Sequence, residues 1–486
     1  MEIDPAVLQL QTSLSETRQP AESAIHRSVD VPHGVSLTSG LHIRIGYKVR
    51  DGCLKDIWHC ALNNDSHETI LQWNKIQFTV SQVNTMLHQL ADFFSKIGLD
   101  KKELELDDTL SKSFAYSKIA ICVKELKAEA TLAIMSAFFV SDLTVINYTQ
   151  PPTELPDDCD TVFVDDLSLV WIKKLGFKNI IYIGDAPILD VIRFNDIVDF
   201  KESVTGSKNY EYNPSLDFMN FNNYVYSEVS GDKEIKFYQR NFVASVSSKL
   251  MSLHTAYSWN EDDSLLILGS NTSAWERNVI HTTLCGLLTS VRKIQFETRE
   301  TVGSLQDLAQ QNATILCTEP MMLSQLTRSG KKHIKKSFLL QRAEVLNSHG
   351  VFASFGKLES TLNLKLIYVY ESDQIVSTAA TNLSKSVMGS RIVKETHCPA
   401  SMGPIFKTNV QDYRITQFGK YHLMGVPSNC LEAKVKKESE EAKVGTLCIR
   451  GLSLGKGQDI TFDEEYWYDT KIKGTFAQDG CFYGEL

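Results

Sequence analysis

An apolar stripe of helical spacing stands out in the first hundred residues of the chain. Large hydrophobic residues fall at relative positions 0, 3, 4, 7, 11 and 14: Val83, Met86, Leu87, Leu90, Phe94 and Ile97. This spacing puts them on one face of an α-helix, and Gly98 stands where a C-terminal cap belongs. We therefore predict an amphipathic helix that ends at Gly98.

Short apolar runs, typical of buried strands, alternate with helical stretches farther along. The first half of the chain contains two such strand–helix–strand units: one with strand candidates 118–123 and 143–148, and one with strand candidates 161–164 and 179–183. Strand–helix–strand units of this length imply parallel strands joined by right-handed crossovers. The pattern predicts an α/β protein with largely parallel sheets.

Changes in composition and in residue pattern divide the chain into four regions. Residues 1–41 are rich in Ser, Thr, Gln and Pro without periodicity, which predicts a poorly ordered leader. Residues 42–223 and 224–399 are predicted to form two stacked, mostly parallel-sheet α/β subdomains. Residues 400–486, with short β-prone pieces, are predicted to form a small β-rich unit.

Composition excludes several classes of protein. The chain is 43% hydrophobic and 22% charged, which is ordinary for a folded globular protein, and its net charge of −9 gives no global attraction to nucleic acid. A basic cluster at residues 328–336 is most simply a solvated loop. The longest apolar run, residues 132–140, is too short to span a bilayer, and the N-terminus lacks a signal sequence. We expect a soluble, cytoplasmic protein without a nucleic-acid partner.

The cysteines and their histidine neighbours do not indicate a metal site. Ten cysteines are scattered along the chain without a Cys-x-x-Cys pair, and we expect reduced, mostly buried thiols. The neighbours His59–Cys60 and His397–Cys398 lack a spaced partner pair, and adjacent strand residues point to opposite faces. We interpret both pairs as structural.

A helical start at 240–244 follows residues 224–234, whose sequence is Y-V-Y-S-E-V-S-G-D-K-E. This segment resembles the phosphate loop Y-T-S-G-T-T-G-x-P-K-G of the acyl-adenylate-forming (AMP-dependent synthetase and ligase) superfamily. A second placement at 268–273 keeps hydroxyl side chains but leaves too few residues before the strand candidate at 314–320. The resemblance puts Lys233 at the loop lysine, as candidate catalytic residue. It also implies a set of nucleotide-binding residues in this loop: Ser227, Ser230, Gly231 and Lys233.

Two departures from the loop pattern predict that it is degenerate. Only Gly231 supplies a flexible position, whereas a phosphate cradle needs close approach of several backbone N–H groups. Glu228 would also place a carboxylate near the phosphates. At about 4 Å, that repulsion costs on the order of 4 kcal/mol for an effective dielectric constant near 20.

Further motifs of the superfamily have partial matches. Residues 370–374, Y-E-S-D-Q, resemble Y-G-x-T-E, which implies nucleotide contacts for Tyr370 and Asp373 and a weak magnesium site at Asp373 and Gln374. Because magnesium prefers carboxylate oxygens, the neutral Gln374 should hold it poorly. His349 and Gly350 resemble part of the adenine-side G-G-A segment.

The C-terminal residues carry the rest of the resemblance. Residues 445–451, G-T-L-C-I-R-G, resemble the strand motif G-E-L-x-V-R-G, and Glu485 stands at the acid that binds the ribose hydroxyls. Residues 474–485 resemble the segment W-F-x-T-G-D that closes the large domain of these enzymes. The resemblance implies that a C-terminal lid with a catalytic lysine would follow, and we expect this chain to lack it and its end to fray.

These features favour a pseudoenzyme of the acyl-CoA-synthetase-like class with a ligand-binding or scaffolding role. The alternative is an active carboxylate (fatty acid)–CoA ligase that forms an acyl-adenylate with ATP and Mg; otherwise we expect no cofactor. We expect an acyl or nucleotide ligand, and a protein partner at the face left open by the lid, around Tyr370, His349 and residues 479–486. The terminal tripeptide lacks the basic residue of a peroxisomal address, so a peroxisomal location is disfavoured.

Overall fold

The computed structural model describes residues 20–486 except 46–47, 65–66, 74, 100–101, 104–113, 116, 125–126, 201–209, 215–222, 253–254, 270–272, 335–336, 357–361 and 412–419. The α-helices of this part of the chain are α1 (Leu54–Leu62), α2 (Val80–Lys96), α3 (Ala128–Ser136), α4 (Asp166–Ile172), α5 (Phe194–Ile197), α6 (Gln239–Met251), α7 (Ser273–Leu288), α8 (Leu305–Gln310), α9 (Pro320–Ile334), α10 (Phe338–Ser348) and α11 (Thr378–Met388). A π-helical turn (Ala137–Ser141) extends α3, and a 3₁₀ turn spans Thr255–Tyr257.

Helix α2 is the amphipathic helix that the apolar stripe predicts. Thr79 caps its first turn by accepting a hydrogen bond from the Gln82 N–H, and Oε1 of Gln82 accepts a hydrogen bond from the Thr79 N–H. Gly98 follows the helix with a φ of 79°, the left-handed conformation that glycine adopts without strain. The prediction of this helix and of its end is confirmed.

The first large sheet has eight strands. In spatial order they are β11 (Ile192–Arg193), β10 (Asn179–Tyr182), β9 (Thr161–Val164), β7 (Lys118–Cys122), β8 (Thr144–Tyr148), β12 (Tyr224–Ser230), β13 (Lys233–Tyr238) and β23 (Lys456–Gly457). From β11 to β12 neighbouring strands are parallel, and β13 and β23 join antiparallel. All four strand candidates of the first half lie in this parallel part.

The second sheet has thirteen strands and a change of character along its width. Its order is β21 (Leu431–Lys437), β22 (Gly445–Gly451), β24 (Tyr468–Phe476), β25 (Phe482–Glu485), β20 (His422–Pro427), β19 (Phe406–Lys407), β18 (Arg391–Thr396), β17 (Leu366–Glu371), β16 (Ile315–Thr318), β14 (Ser264–Gly269), β15 (Lys293–Thr298), β3 (Ile70–Trp73) and β4 (Ile76–Thr79). From β18 to β3 the strands are parallel, and from β18 to β21 they are antiparallel. Two short hairpins, β1–β2 (Ile43–Ile45, Lys48–Arg50) and β5–β6 (Lys102–Glu103, Phe114–Ala115), stand apart.

This architecture confirms the predicted fold class, mixed α/β with largely parallel sheets. It also shows chain segments that cross the expected boundaries. Strands β3 and β4 precede the first sheet in sequence but pair into the second sheet, and β12 and β13 belong to the first sheet although they begin the second predicted subdomain. Local periodicity encodes the existence of a strand, whereas the choice of sheet depends on long-range pairing.

Part of the predicted leader is paired with the C-terminal strands. Glu22 and His26 form bridges with Lys436 and Ala433 on β21, and Glu22 accepts a bond from the buried Lys434 ammonium. Residues 1–19 lie outside the described residues. The described end of the leader therefore covers the edge strand of the second sheet.

The main core lies between the two sheets. Helices α1–α3, α6 and α7 pack there with their apolar side chains, including Leu87, Phe138, Phe242 and Leu284. Smaller clusters cover the outer face of each sheet and the antiparallel strands. Within the described part of the chain, every helix is too short or too polar to cross a bilayer.

Candidate functional site

The segment that resembles a phosphate loop forms a β-hairpin. Ser230 of β12 lies opposite Lys233 of β13, so only Gly231 and Asp232 connect the strands. Gly231 has a φ of 60°, which suits the first position of a two-residue hairpin turn. Strand β12 also pairs with β8, and β13 pairs with β23, so the hairpin has neighbours on both sides.

This pairing limits what the hairpin can bind. A phosphate cradle needs several free backbone N–H groups that point at one anion, but here most of them lie in sheet ladders. The predicted phosphate residues also face different surroundings, since Ser227 is buried whereas Ser230, Gly231 and Lys233 are exposed. The Lys233 side chain is 72% exposed, and its Nζ lies 2.8 Å from Oδ2 of Asp459.

A buried arginine neutralises Glu228. Nε of Arg277, at the start of α7, lies 3.5 Å from Oε2 of Glu228, and both side chains are mostly buried. The guanidinium also donates to the Pro399 carbonyl and lies 5.3 Å from the centre of the Phe237 ring. Burial opposes its charge most strongly, but the Glu228 carboxylate, together with Tyr370, Tyr226 and Cys398, raises the pKa of Arg277. Glu228 is therefore used inside the fold, at the junction between the hairpin and α7.

Tyr370 lies at the same junction. It is buried on β17, its ring is centred 4.1 Å from the ring of His397, and burial together with Glu228 raises its pKa to about 12 although Arg277 opposes the shift. We expected Tyr370 to lie on the docking face for a protein partner. A side chain with so little exposure cannot contribute to such a face.

A second ion pair lies deeper in the same core. Nζ of Lys249 on α6 is 2.9 Å from Oε2 of Glu395 on β18, and each side chain is 2% exposed. The ammonium also lies 4.4 Å from the centre of the Tyr368 ring, a cation–π contact. Burial disfavours both charges most strongly, but the charge of the partner together with neighbouring polar groups prevails: the pKa of Lys249 is raised to about 12 and that of Glu395 is lowered to about 2.

Two neutral histidines flank this ion pair. His281 Nε2 lies 2.9 Å from Oγ of Ser245, and His397 Nε2 lies 4.0 Å from Glu395 Oε2. Burial lowers the pKa of His281 to about 3, with Lys249 adding to the effect, and burial lowers the pKa of His397 to about 4. Because none of these groups reaches solvent, the cluster holds α6 and α7 against the second sheet and is not placed to contact a substrate.

An apolar cavity lies between α3 and α7. It offers about 40 Å³ to the centre of a water-sized sphere, with Ile134, Phe138, Val279 and Leu284 on its walls. Lys127 and Thr131 supply its few polar groups. Its lining suits a hydrocarbon group, and the walls have to separate before a long chain can enter.

Asp373 and Gln374, the predicted magnesium residues, lie beyond the carboxyl end of β17, and both are exposed. Gln374 lines an open crevice with Arg299, Arg328 and the start of α9. Among the residues that the structure describes, no group of three or more His, Cys, Asp or Glu side chains is placed to hold a metal ion.

His349 and Gly350 lie at the opposite end of the second sheet. They follow α10, and nearby Phe352 stacks under the guanidinium of Arg391, the first residue of β18. Asp373 and Tyr370 lie at the carboxyl end of the parallel strands. A six-residue strand is about 20 Å long, so the structure does not bring His349 and Gly350 to the other predicted residues.

Glu485 ends a strand that is well held. Strand β25 pairs with β20 on one side and β24 on the other, its Phe482 is fully buried, and the Glu485 carboxylate pairs with exposed Lys420. The predicted fraying of this segment is not observed, because its backbone is bonded on both sides.

The buried charges that stabilise the fold were not predicted from the sequence. Lys249 ends a run of small and apolar residues in α6, four positions after Ser245, and a lysine on such a face signals a buried partner. Glu395 and Arg277 have no comparable local signal, because their partners lie 146 and 49 residues away in sequence.

The chain is similar to known proteins in sequence and in fold. The chain is 26% identical, over 98% of its length and 92% of the relative, to the uncharacterized protein YHR045W of Saccharomyces cerevisiae. No protein-family model matches it.

Solved structures are similar in fold. A luciferase-like enzyme from the mealworm Zophobas morio superposes with a TM-score of 0.63 at 13% identity, over 92% of this chain and 98% of that one. An anthranilate–CoA ligase in complex with anthranoyl-AMP gives 0.63 at 14% identity, over 89% and 77%. A long-chain fatty acid–CoA ligase from Archaeoglobus fulgidus gives 0.61 at 12% identity, over 93% and 86%. The chain therefore has the fold of acyl-adenylate-forming enzymes.

Proposed function

We propose that this protein is a pseudoenzyme: it keeps the fold of the acyl-adenylate-forming enzymes, does not adenylate carboxylates, and serves a ligand-binding or scaffolding role. The observation that carries the proposal is the hairpin at residues 224–238. Its two-residue turn leaves few free N–H groups, and Lys233 is engaged with Asp459 in solvent. Stabilising a triphosphate in a transition state needs preorganised donors, each typically worth ~2.7–4 kcal/mol.

The second support is the chemistry of the two residues at the predicted magnesium position. Asp373 is followed by neutral Gln374, and both side chains are solvated. Magnesium that bridges phosphates is usually held by one or two protein carboxylates in a fixed geometry. An exposed aspartate alone is poorly suited to that role.

For the ligand, we propose an acyl group bound in the cavity between α3 and α7. Its wall is almost entirely apolar, and Lys127 at the cavity is a cation that could neutralise a carboxylate. The anthranilate–CoA ligase of similar fold holds an acyl-adenylate. An acyl group that is bound through its hydrocarbon contacts, without conversion to an adenylate, fits this cavity.

The test of the catalytic half is ATP–pyrophosphate exchange with fatty, aromatic and amino acids. We expect exchange at background for the wild-type protein and for Lys233→Ala alike. Exchange above background that disappears in Lys233→Ala would favour the alternative, an active fatty acid–CoA ligase, for which Lys233 and Asp373 remain accessible.

The test of the ligand half is a thermal shift with fatty acids of increasing length. We expect the unfolding midpoint to rise with medium or long chains, and Ala130→Leu, which fills the cavity, to remove the rise. Leu189→Gln, an exposed substitution away from the cavity, serves as control. An equal response in the wild type and Ala130→Leu would place the acyl group elsewhere.

A further inference from the structure

An open crevice lies between α9 and α11 at the carboxyl edge of the second sheet. Its volume is about 610 Å³, and its walls come from the residues that follow β15, β16 and β17. Helices α9 and α11 pack on the outer face of this sheet, against Leu316 and Val369, whereas α7 packs on the inner face. In open α/β sheets, ligands bind in crevices at the carboxyl ends of the strands. We call this site the α9–α11 crevice.

The wall of the α9–α11 crevice is positively charged. Arg299 and Arg328 are both exposed on it, and no acidic side chain lines it. Neither guanidinium forms an ion pair within the part of the chain that the structure describes. Glu300 lies off the wall; burial is the main cause of the raised pKa of Tyr370, and Asp373 adds to it, which places that carboxylate toward the inner face. The crevice therefore attracts an anion although the chain has a net charge of −9.

A buried hydroxyl below the crevice also lacks a partner. Thr318, two residues before Pro320 of the crevice wall, is fully buried, and its Oγ1 has no hydrogen-bond partner among the described residues. Side chains of a strand alternate between faces, so Thr318 shares the outer face with Leu316. A buried hydroxyl without a partner costs free energy, and a ligand oxygen or a water at the bottom of the crevice would satisfy it. The arginines and this hydroxyl together indicate a ligand with several acceptor oxygens.

Buried contacts hold the walls of the crevice in place. Oε1 of fully buried Glu371 accepts a hydrogen bond from the Val376 N–H at 2.7 Å, and Nζ of Lys394 lies 3.7 Å from the same oxygen. Burial raises the pKa of Glu371 while Lys394 opposes the shift, so this carboxyl carries little uncompensated charge toward the crevice. On the other wall, Nε2 of Gln325 donates to the Gly303 carbonyl at 3.2 Å. A site with fixed walls loses less entropy when it binds a ligand.

The size and the lining of the crevice favour a small organic phosphate. Sites for small molecules typically measure ~300–1,000 Å³, which is more room than an inorganic phosphate needs. Met321, Ile375 and Ala380 supply an apolar part of the wall beside the arginines. A guanidinium binds phosphate oxygens in pairs, and the double charge of a phosphate monoester matches two arginines. Helices α9 and α11 also begin at the crevice, and helix N-termini favour anions.

We propose that the α9–α11 crevice binds the phosphate monoester of a small organic molecule. Arg299 and Arg328 contact the phosphate oxygens, and the Thr318 hydroxyl supplies a further donor, directly or through a water. Met321 and Ile375 contact the organic part. The crevice and α7, which meets the hairpin, lie on opposite faces of the second sheet. The proposal therefore depends neither on the loss of adenylation nor on an acyl group between α3 and α7.

The experiment is isothermal calorimetry of the full chain with phenyl phosphate, inorganic phosphate and benzoate, without magnesium. We expect phenyl phosphate to bind at one site, inorganic phosphate to bind more weakly, and benzoate to bind most weakly because it carries a single charge. Arg299→Gln and Arg328→Gln should each lower the affinity for phenyl phosphate about tenfold, and the double variant should show no measurable binding. Both arginines are exposed, so the variants should fold, which circular dichroism checks.

Arg292→Gln is the matched control. Arg292 is 65% exposed at the opposite end of β15, and its replacement should leave the affinity for phenyl phosphate unchanged. The proposal is overturned if the wild type does not bind phenyl phosphate, if benzoate binds as tightly, or if Arg292→Gln weakens binding as much as Arg299→Gln does. Binding that persists in the double variant and is lost in Lys233→Ala would also overturn it, because the phosphate would then lie at the hairpin.

Discussion

Two ion pairs of almost equal length differ in burial and in their role in this protein. Lys249 and Glu395 lie 2.9 Å apart with 2% exposure each, and Lys233 and Asp459 lie 2.8 Å apart with 72% and 60% exposure. The first is enclosed by α6, α7 and the second sheet, and the second lies in solvent beside the hairpin. The difference indicates that the buried charges of this molecule maintain the fold, whereas the pair at the turn of the hairpin that resembles a phosphate loop is exposed to solvent.

The strongest test of this contrast is removal of each lysine. Lys249→Ala leaves the Glu395 carboxylate buried without a counter-charge, and we expect a loss of about 3–5 kcal/mol in the free energy of unfolding. Urea denaturation followed by circular dichroism measures it. Lys249→Met/Glu395→Leu should recover most of the loss, because it removes both charges and fills the same space with apolar side chains. A single variant as stable as the wild type would show that the pair is not desolvated.

The histidines around the buried pair predict a dependence on pH. In the folded protein the pKa values of His281 and His397 are lowered to about 3 and about 4, below the ordinary 6.5. Above pH 6.5 both histidines are neutral in the folded and the unfolded protein, and stability is not reduced by their protonation. The free energy of unfolding declines as the pH falls from 6.5 toward the pKa values in the folded protein, because in this range only the unfolded chain binds the protons. Between pH 7.5 and 5.5 we expect a loss of about 2–3 kcal/mol, measured by urea unfolding at each pH.

A control for that pH dependence is His281→Asn/His397→Asn. These side chains do not titrate, so stability of the variant should fall less steeply over the same range. Parallel profiles for wild type and variant would assign the pH dependence to other groups.

The Arg277–Glu228 pair lies between the two extremes and sharpens the comparison. Arg277→Met should cost about 1–3 kcal/mol, since Glu228 keeps partial contact with solvent. Adding Glu228→Gln should restore part of the loss, and thermal unfolding of the single and double variants measures it. No recovery in the double variant would mean that Arg277 contributes through the Pro399 carbonyl and the Phe237 ring alone.

The smallest effect belongs to Lys233. Because this side chain is exposed and its partner Asp459 is too, we expect Lys233→Ala to leave the unfolding midpoint unchanged within error. A clear destabilisation would show that the hairpin is held by this pair and would remove the contrast with Lys249.

Sequence periodicity predicted the elements of this fold well where they are local. The helix that contains Val83 and Phe94, and the strands at 161–164 and 179–182, occur where the apolar pattern places them. The pairing of β3 and β4 with the second sheet has no local signal, since strands of this length fit either sheet.

The candidate site was less accessible to sequence reasoning. The missing glycines predict that the loop is degenerate, but the hairpin geometry of this segment depends on pairing with β8 and β23. Glu228 was predicted to repel phosphate, and only the structure shows its partner Arg277. Assignments by short motifs also placed His349 beside Tyr370, although the two lie at opposite ends of the sheet.

The most direct test of the central claim is titration of the full chain with ATP in the presence and absence of magnesium, by isothermal calorimetry. If the hairpin does not cradle phosphate, no magnesium-dependent binding is expected up to millimolar ATP, and Lys233→Ala behaves as the wild type does. Magnesium-dependent binding of ATP that Lys233→Ala abolishes would contradict the account, because it would show that the hairpin opens and holds the phosphates.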